Sequence, residues 1–212
     1  MITIRAATRS DAPFLAWAML TAARSHLERG WFDIVLDRPQ AFCLAFLERL
    51  AVTEARSWWH WSRFHVAEIS REPVATLCAF RAGEGYPLSP LAMDEAFAHF
   101  GWSDSERRAA WSRGSYIFTC TFEEADDAWT IENVATHARH RSTGLAGALI
   151  EHVLAAGRPS GAREAQISYL IGNEPAARAY ARAGFAHDGE RRSPEFLAAT
   201  GAPGIRRVVR AL

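Results

Sequence analysis

Alternating hydrophobic and polar residues mark several short stretches of the chain as β-strands. The chain opens with such a stretch at residues 2–5. Residues 63–69 and 74–80 form two more, and the short polar turn between them predicts an antiparallel hairpin. Residues 165–170 and the closing run 205–212 have the same character. The pattern therefore predicts a protein built around a β-sheet.

Apolar residues at helical spacing fill much of the remaining chain. The first predicted helix follows the opening strand and ends near Gly30, and a second covers residues 42–50. Two more are predicted around residues 91–100 and 105–111. They lie within residues 84–122, a segment that interrupts the strand pattern. We expect this segment to be an insertion that carries substrate-specific residues.

The most informative stretch runs from residue 129 to residue 156. Residues 129–136 alternate as a strand, residues 137–144 form a turn that contains Arg139 and Arg141, and an Ala/Leu/Ile-rich helix follows. The first turn of a helix has backbone N–H groups without intrahelical partners, and its dipole favours negative charge. The sequence therefore predicts an anion-binding turn at this point.

Composition narrows the classes of function. The chain has 212 residues and 49% hydrophobic content, which is enough for one large domain with a substantial core. Lys+Arg and Asp+Glu both total 24, so the net charge gives no reason to expect nucleic acid or a membrane surface as a partner. All of the cations are arginine, and the absence of lysine excludes a Walker-type phosphate loop.

Cysteine usage and the lack of long apolar runs indicate a soluble, cytoplasmic protein. Cys43, Cys78 and Cys120 are odd in number and contain no Cys-x-x-Cys pair, so we expect neither a disulfide framework nor a zinc knuckle. No apolar run approaches the roughly 20 residues of a membrane span. His137 and His140 have a spacing that metal ligands can have, but no third ligand is near in sequence, and we expect no metal.

Short motifs in the second half of the chain together resemble the GNAT superfamily of acyl-CoA-dependent N-acetyltransferases. They are Val134-Ala-Thr136, Arg141-Ser-Thr-Gly144-Leu-Ala146, Asn173 followed by Tyr180, and Gly184-Phe185. The chain departs from the family pattern at Ala138, where many members have proline, and at Thr136, where an aliphatic residue is usual. The resemblance implies an α/β (α+β) fold with a mixed, mostly antiparallel central sheet flanked by helices. It also implies one domain over residues 1–212, with helical insertions and an acetyl-CoA-binding core at 129–186.

The resemblance further implies acetyl-CoA as the cosubstrate and assigns residues to it. The backbone N–H groups of the turn would bind the pyrophosphate, and the backbone of the preceding strand would pair with the pantetheine arm. The implied cofactor residues are Val134, Thr136, Arg139, Arg141, Ser142, Thr143, Gly144, Leu145, Ala146 and Asn173. Asn173 also fits an ordinary helix N-cap, and both roles are compatible.

Two side chains are candidates for the chemistry that the resemblance implies. Tyr180 matches the tyrosine that contacts the departing sulfur in many relatives, although an aromatic residue at this position also fits a buried helix face. Glu132 is the first candidate for the general base, because strand alternation places it on the same face as Val134 and Thr136. A salt-bridged strand glutamate is the alternative. A backbone N–H near Thr136 or His137 is expected to stabilise the thioester oxygen.

The acceptor is expected to be a primary amine of a small molecule or peptide, which the sequence does not identify further. The acidic run Glu123, Glu124, Asp126 and Asp127 either attracts this amine or is a solvated loop, and with His137 it provides fallback bases. Trp58, Trp59 and Trp61 either fill the core or line a pocket. A homodimer is compatible with the sequence. Two rivals remain: an acyl-CoA-binding sensor without turnover, and a nucleotide-phosphate-binding α/β protein.

Overall fold

One seven-stranded sheet organises residues 2–212, which are the residues that our computed structural model describes. In chain order the strands are β1 (Ile2–Ala6), β2 (Phe64–Ile69), β3 (Glu72–Arg81), β4 (Trp129–Thr136), β5 (Glu164–Leu170), β6 (Ala186–Arg192) and β7 (Gly204–Ala211). Their order across the sheet is β1-β2-β3-β4-β5-β7-β6. Only β4 and β5 pair in parallel, so the expected mixed, mostly antiparallel sheet is confirmed.

Helices cover the sheet on both faces. They are α1 (Ala12–Arg24), α2 (Trp31–Leu36), α3 (Gln40–Leu50), α4 (Ala82–Gly85), α5 (Ser89–His99), α6 (Asp104–Gly114), α7 (Leu145–Gly157), α8 (Glu174–Arg182) and α9 (Pro194–Thr200). None of the helices in the described part of the chain is long and apolar enough to cross a membrane. The predicted strands and most of the predicted helices are present near their expected positions.

The two faces of the sheet carry separate cores because the central strand β3 is apolar on both sides. Cys78 and Phe80 face a large aromatic-rich cluster formed with α1, α2, α3, α5 and α6. Leu77 and Ala79 face a second cluster formed with α7 and α8. A strand buried on both faces reads as a continuous apolar run, which residues 74–80 show. The helices from residues 84–122 thus lie on the first face.

Several elements differ from the sequence expectations. The first helix ends at Arg24 rather than near Gly30, because Ser25 takes a positive φ of 57°. Strand β6 and the short helices α4 and α9 were not predicted. Strand β6 is mostly polar and exposed, so it shows no alternation of apolar residues, and its place in the sheet comes from pairing with β7.

Candidate active site

A cavity of about 1330 Å³ opens where β4 and β5 separate. The two strands pair with each other only from Trp129 opposite Ala165 to Ile131 opposite Ile167. Beyond this point each continues without pairing to the other. The two strands therefore leave a gap between them. Of the predicted cofactor residues, those that line the cavity are Val134, Thr136, Arg141, Ser142, Gly144, Leu145, Ala146 and Asn173.

The turn after β4 presents a row of free backbone donors. It starts with a short 3-10 stretch, Ala138–His140, and ends at Gly144, which caps α7 with a φ of 88°. Ser142 also has a positive φ, 63°. Within residues 2–212, the amides of residues 142–147 donate to no protein acceptor. Together with the positive end of the α7 dipole, these amides have the geometry of an anion site.

Arginine side chains add permanent charge around this turn. Arg141 is exposed and lines the cavity, and Arg178 and Arg182 line it from α8. Sequence reasoning missed the two α8 arginines, although their spacing of four residues places them on one helix face. Arg139 is directed elsewhere: its guanidinium lies 3.3 Å from the carboxylate of Glu72 and it does not line the cavity.

A β-bulge in β4 determines the orientation of Glu132. Cys78 of β3 lies opposite Glu132, and Thr76 lies opposite Ala135, so β4 has one residue more than β3 between these pairs. The extra residue is accommodated at Asn133, whose φ is 55°. Asparagine tolerates this left-handed conformation better than most residues. An asparagine inside an otherwise regular strand was the sequence signal for the bulge.

The bulge corrects the prediction that Glu132 shares a face with Val134 and Thr136. Thr136 lies opposite Ala75, on the face covered by α7. Glu132 lies opposite Cys78 and therefore faces the aromatic cluster on the other side. Simple alternation failed because one inserted residue shifts every later side chain to the opposite face.

Glu132 is held in the cavity by Tyr86, whose hydroxyl donates to its carboxylate at 3.0 Å. Burial raises the pKa of Glu132 to about 8, and the nearby Glu124 carboxylate adds to this rise while the Tyr86 hydrogen bond opposes it. Burial also raises the pKa of Glu124 to about 7, against the opposing effects of Arg207 and Gln166. The cavity therefore contains two coupled carboxyl groups that titrate near neutral pH.

Tyr180 lies on α8, within reach of the same cavity. Its side chain is buried between Tyr169 and Phe185, with ring centroids at 5.5 Å and 6.5 Å. Burial raises its pKa, and the charge of Glu132 contributes in the same direction. Its hydroxyl has no hydrogen-bond partner among the described residues and is protonated at neutral pH, and the residue borders the cavity.

The two candidate backbone donors at the end of β4 differ. The N–H of His137 donates to the carbonyl of Val74 at 2.9 Å, so it is used by the sheet. Backbone groups of successive strand residues point to opposite edges, which directs the N–H of Thr136 away from β3 and toward the gap. The structure thus favours Thr136 over His137 as a donor into the cavity.

Asn173 has the N-cap geometry predicted for it. Its side-chain oxygen accepts from the N–H of Ala176 at 3.2 Å, and its amide nitrogen donates to Ser25 at 2.6 Å. The residue also lines the cavity. The cap therefore ties the start of α8 to the end of α1 beside the site.

The residues of the acidic run do not all have the same position, and neither do those of the tryptophan cluster. Glu124 lines the cavity, whereas Glu123 and Asp126 are exposed on the loop. Trp58 and Trp59 line the cavity, and Trp59 is also part of the aromatic core. Within residues 2–212, no group of three or more His, Cys, Asp or Glu residues is arranged to hold a metal ion.

A model of the family described as "Acetyltransferase (GNAT) family" matches residues 31–185. The chain belongs to the GNAT acetyltransferase family. This match covers the β4 strand, the anion-binding turn and α8, and it makes the protein an acyltransferase by class. No protein of curated function matches the sequence significantly.

Solved structures agree with the GNAT assignment at the level of the fold. A crystal structure of an acetyltransferase superimposes with a TM-score of 0.72 at 15% identity, covering 99% of this chain and 98% of the other. An N-acetyltransferase from Staphylococcus aureus Mu50 gives 0.69 at 18% identity, with 98% and 100% covered. A putative acetyltransferase from Salmonella typhimurium, solved with acetyl-CoA, gives 0.56 at 14% identity, with 100% and 94% covered.

Proposed function

We propose that this GNAT protein transfers the acetyl group of acetyl-CoA to a primary amine by direct attack. One observation carries the proposal: the turn with its free amides, Glu132 and Tyr180 all border one cavity. The first set suits a diphosphate, and the other two suit proton transfers at an amine and at a sulfur. Acetyl-CoA would supply the acyl carbon and the sulfur leaving group.

Removal of a proton from the acceptor is the first task. An alkylammonium has a pKa near that of lysine, about 10.4, so it is almost fully protonated at neutral pH. Glu132, with its pKa raised to about 8, is a much better match for this proton than an exposed carboxylate. In its ionised form Glu132 takes one proton from the ammonium, which frees the nitrogen lone pair for attack on the acyl carbon.

The N–H of Thr136 and the hydroxyl of Tyr180 serve the two atoms that gain negative charge. As the C–N bond forms, the carbonyl oxygen becomes more negative, and a backbone donor directed into the gap stabilises it. As the C–S bond breaks, the sulfur leaves with the electron pair and Tyr180 can return a proton to it. The nitrogen loses its second proton to solvent, Tyr180 regains a proton from solvent, and Glu132 releases the proton that it accepted, so the products are an amide, a thiol and one released proton.

Direct attack is favoured over an acyl-enzyme because the cysteine beside the bulge is a poor nucleophile. Cys78 is fully buried, and burial raises the pKa of its thiol. Its sulfur also accepts from the amide of Asn133 at 3.5 Å. A protonated, enclosed thiol does not provide the thiolate that covalent catalysis requires.

The proposal is tested by measuring thiol release from acetyl-CoA across a panel of primary amines, with mass spectrometry of the products. Turnover with acetylated product is the expected result. Calorimetry with acetyl-CoA, CoA and ATP accompanies it. Binding of acetyl-CoA without turnover on any amine would indicate a sensor, and binding of ATP without affinity for acetyl-CoA would indicate a nucleotide-phosphate-binding protein.

A further inference from the structure

An aromatic wall lines the cavity on the side where Glu132 lies. It runs from Tyr86 through Trp58, Trp59 and Trp31 to Trp111, all of which border the cavity. Successive ring centroids along it are 5.6, 4.6, 6.3 and 6.3 Å apart. These five rings come from four separate parts of the chain, and their contacts form a continuous surface.

At Trp58 and Trp31 the wall offers ring surface, because their indole N–H groups are already paired, whereas the indole N–H of Trp59 is buried without a partner among the described residues. The indole N–H of Trp58 donates to the hydroxyl of Ser89 at 3.0 Å, and that of Trp31 donates to the carbonyl of Gly114 at 3.1 Å. Both bonds also fix the orientation of their rings. A ligand along this wall therefore meets rigid π surface, which binds aromatic rings and cations.

Charge distinguishes the two ends of the wall. At the Tyr86 end lies Glu132, whose carboxylate accepts a hydrogen bond from Tyr86. Glu124 is close enough to raise the pKa of Glu132. At the Trp31 end, the cavity is bordered by Arg29, which donates to the backbone of α2 at Asp33 and lies 3.6 Å from the carboxylate of Asp37, a residue that does not border the cavity. No carboxylate borders the described cavity at that end. The third carboxylate that lines the cavity, Glu151, lies beside the cofactor turn and is paired with Arg210.

We propose that the acceptor is an arylalkylamine: a primary amine with one positive charge, carried by a neutral aromatic ring. The ammonium lies at Glu132, and the ring lies on the wall formed by Trp58, Trp59 and Trp31. A diamine or polyamine fits less well, because no carboxylate borders the cavity at the Trp31 end to receive its second ammonium. The proposal rests on the proposed acetyl transfer and names its acceptor class.

The first test compares three amines as acceptors at equal acetyl-CoA: 2-phenylethylamine, 2-cyclohexylethylamine and 1,5-diaminopentane. The first two have similar shape and charge, so their ratio isolates the aromatic ring. We expect kcat/KM for 2-phenylethylamine to exceed that for 2-cyclohexylethylamine by about three- to tenfold, the range that an aromatic pair contributes. The diamine is expected to be the poorest acceptor. A diamine that is the best acceptor would overturn the proposal.

The second test changes the wall. Trp58→Leu should lower kcat/KM for 2-phenylethylamine by about tenfold and remove its advantage over the cyclohexyl analogue, with KM for acetyl-CoA changed less than about twofold. Trp58→Phe, which keeps a ring, should retain most of the preference. Trp61→Leu is the matched control, because Trp61 does not border the cavity. An unchanged amine ratio in a folded Trp58→Leu protein would contradict the proposal.

Binding measurements distinguish a failure of this proposal from a failure of the proposed acetyl transfer. If no amine supports thiol release, acetyl transfer is rejected, and calorimetric titration of the CoA-loaded protein with the same amines still tests the acceptor class. Tighter binding of 2-phenylethylamine than of 1,5-diaminopentane, weakened in Trp58→Leu, supports the aromatic wall as its site. Equal or reversed affinities overturn it.

Discussion

The two sides of the cavity offer different means of recognition. On the side that we propose for the cofactor, the free donors are backbone amides of residues 142–147, and Gly144, which has no Cβ, adopts a positive φ. On the acceptor side, the surface consists of side chains from α2, the segment before β2, the segment before α5 and the end of α6. Backbone recognition is encoded in one short stretch, whereas side-chain recognition is assembled from distant ones.

This difference explains why the donor is easier to identify than the acceptor. A turn that must present consecutive N–H groups to a phosphate needs glycine and a helix start at fixed spacing, so its sequence is constrained locally. A pocket made of side chains needs only that the fold bring them together. Substitutions on either side of the cavity test this contrast.

Glu132→Gln is expected to have the largest effect. Loss of the general base should lower kcat/KM at neutral pH by about 10²- to 10³-fold. In the wild type, kcat/KM should rise with pH through about 8, because the raised pKa keeps Glu132 protonated and inactive below that value. In the variant the rise should move toward about 10, the pKa of the free amine. Initial rates of thiol release between pH 6 and pH 10 measure both.

Glu123→Gln is the control for this change, because Glu123 is an exposed carboxylate of the nearby acidic loop. It should leave the rate and the pH profile as they are in the wild type. An unaltered profile in Glu132→Gln would remove Glu132 from the proton transfer and direct attention to Glu124.

Tyr180→Phe is expected to lower kcat by about 10- to 100-fold while KM for acetyl-CoA changes less than about twofold, because the hydroxyl acts on the departing sulfur and not on the bound thioester. Steady-state kinetics at saturating amine separate the two constants. Tyr169→Phe is the matched control, since Tyr169 contacts the Tyr180 ring and also borders the cavity. Full activity of Tyr180→Phe would leave Tyr180 with a packing role only.

Most of the cofactor side was predictable from the sequence, and the reasons are local. The period of the apolar residues changes from two to about 3.6 at the turn, which identifies the strand and the helix. Gly144 and the arginines identify the turn itself. The two α8 arginines, Arg178 and Arg182, were missed because their position depends on how α8 packs against the sheet.

The acceptor side was only partly predictable, because it depends on tertiary contacts. Strand β4 contains one inserted residue at Asn133, which the alternation pattern does not reveal. Alternation therefore placed Glu132 on the wrong face. Tyr86 binds Glu132 across a sequence separation of 46 residues, which no local pattern reveals. The tryptophan cluster was recognised, but which of its rings fill the core and which border the cavity depends on packing with α2 and α6.

Gly144→Ala should weaken CoA binding by about tenfold, because a residue with a Cβ costs about 1–2 kcal/mol in the left-handed conformation that Gly144 adopts. A Cβ at Gly144 meets no atom within 4 Å, so the cost is conformational and not a clash. Gly147→Ala is the matched control: its Cβ is also unobstructed, and alanine should stabilise α7 by about 0.5–1 kcal/mol. Calorimetry with CoA compares the two. Equal losses of CoA affinity in the two variants would indicate that the space beside the turn, and not the φ of Gly144, limits CoA binding.

Asn173→Ala tests the smallest effect, at the point where the cofactor side joins α1. Loss of the N-cap should lower the free energy of unfolding by about 1 kcal/mol, with CoA affinity reduced less than about threefold. Asn173→Asp keeps an acceptor for the N–H of Ala176 but loses the donor to Ser25. It should therefore recover most of the stability lost in Asn173→Ala, as measured by chemical denaturation. A CoA affinity that falls about tenfold or more in both variants, with stability unchanged, would show that the Asn173 amide binds the cofactor and that its capping role is minor.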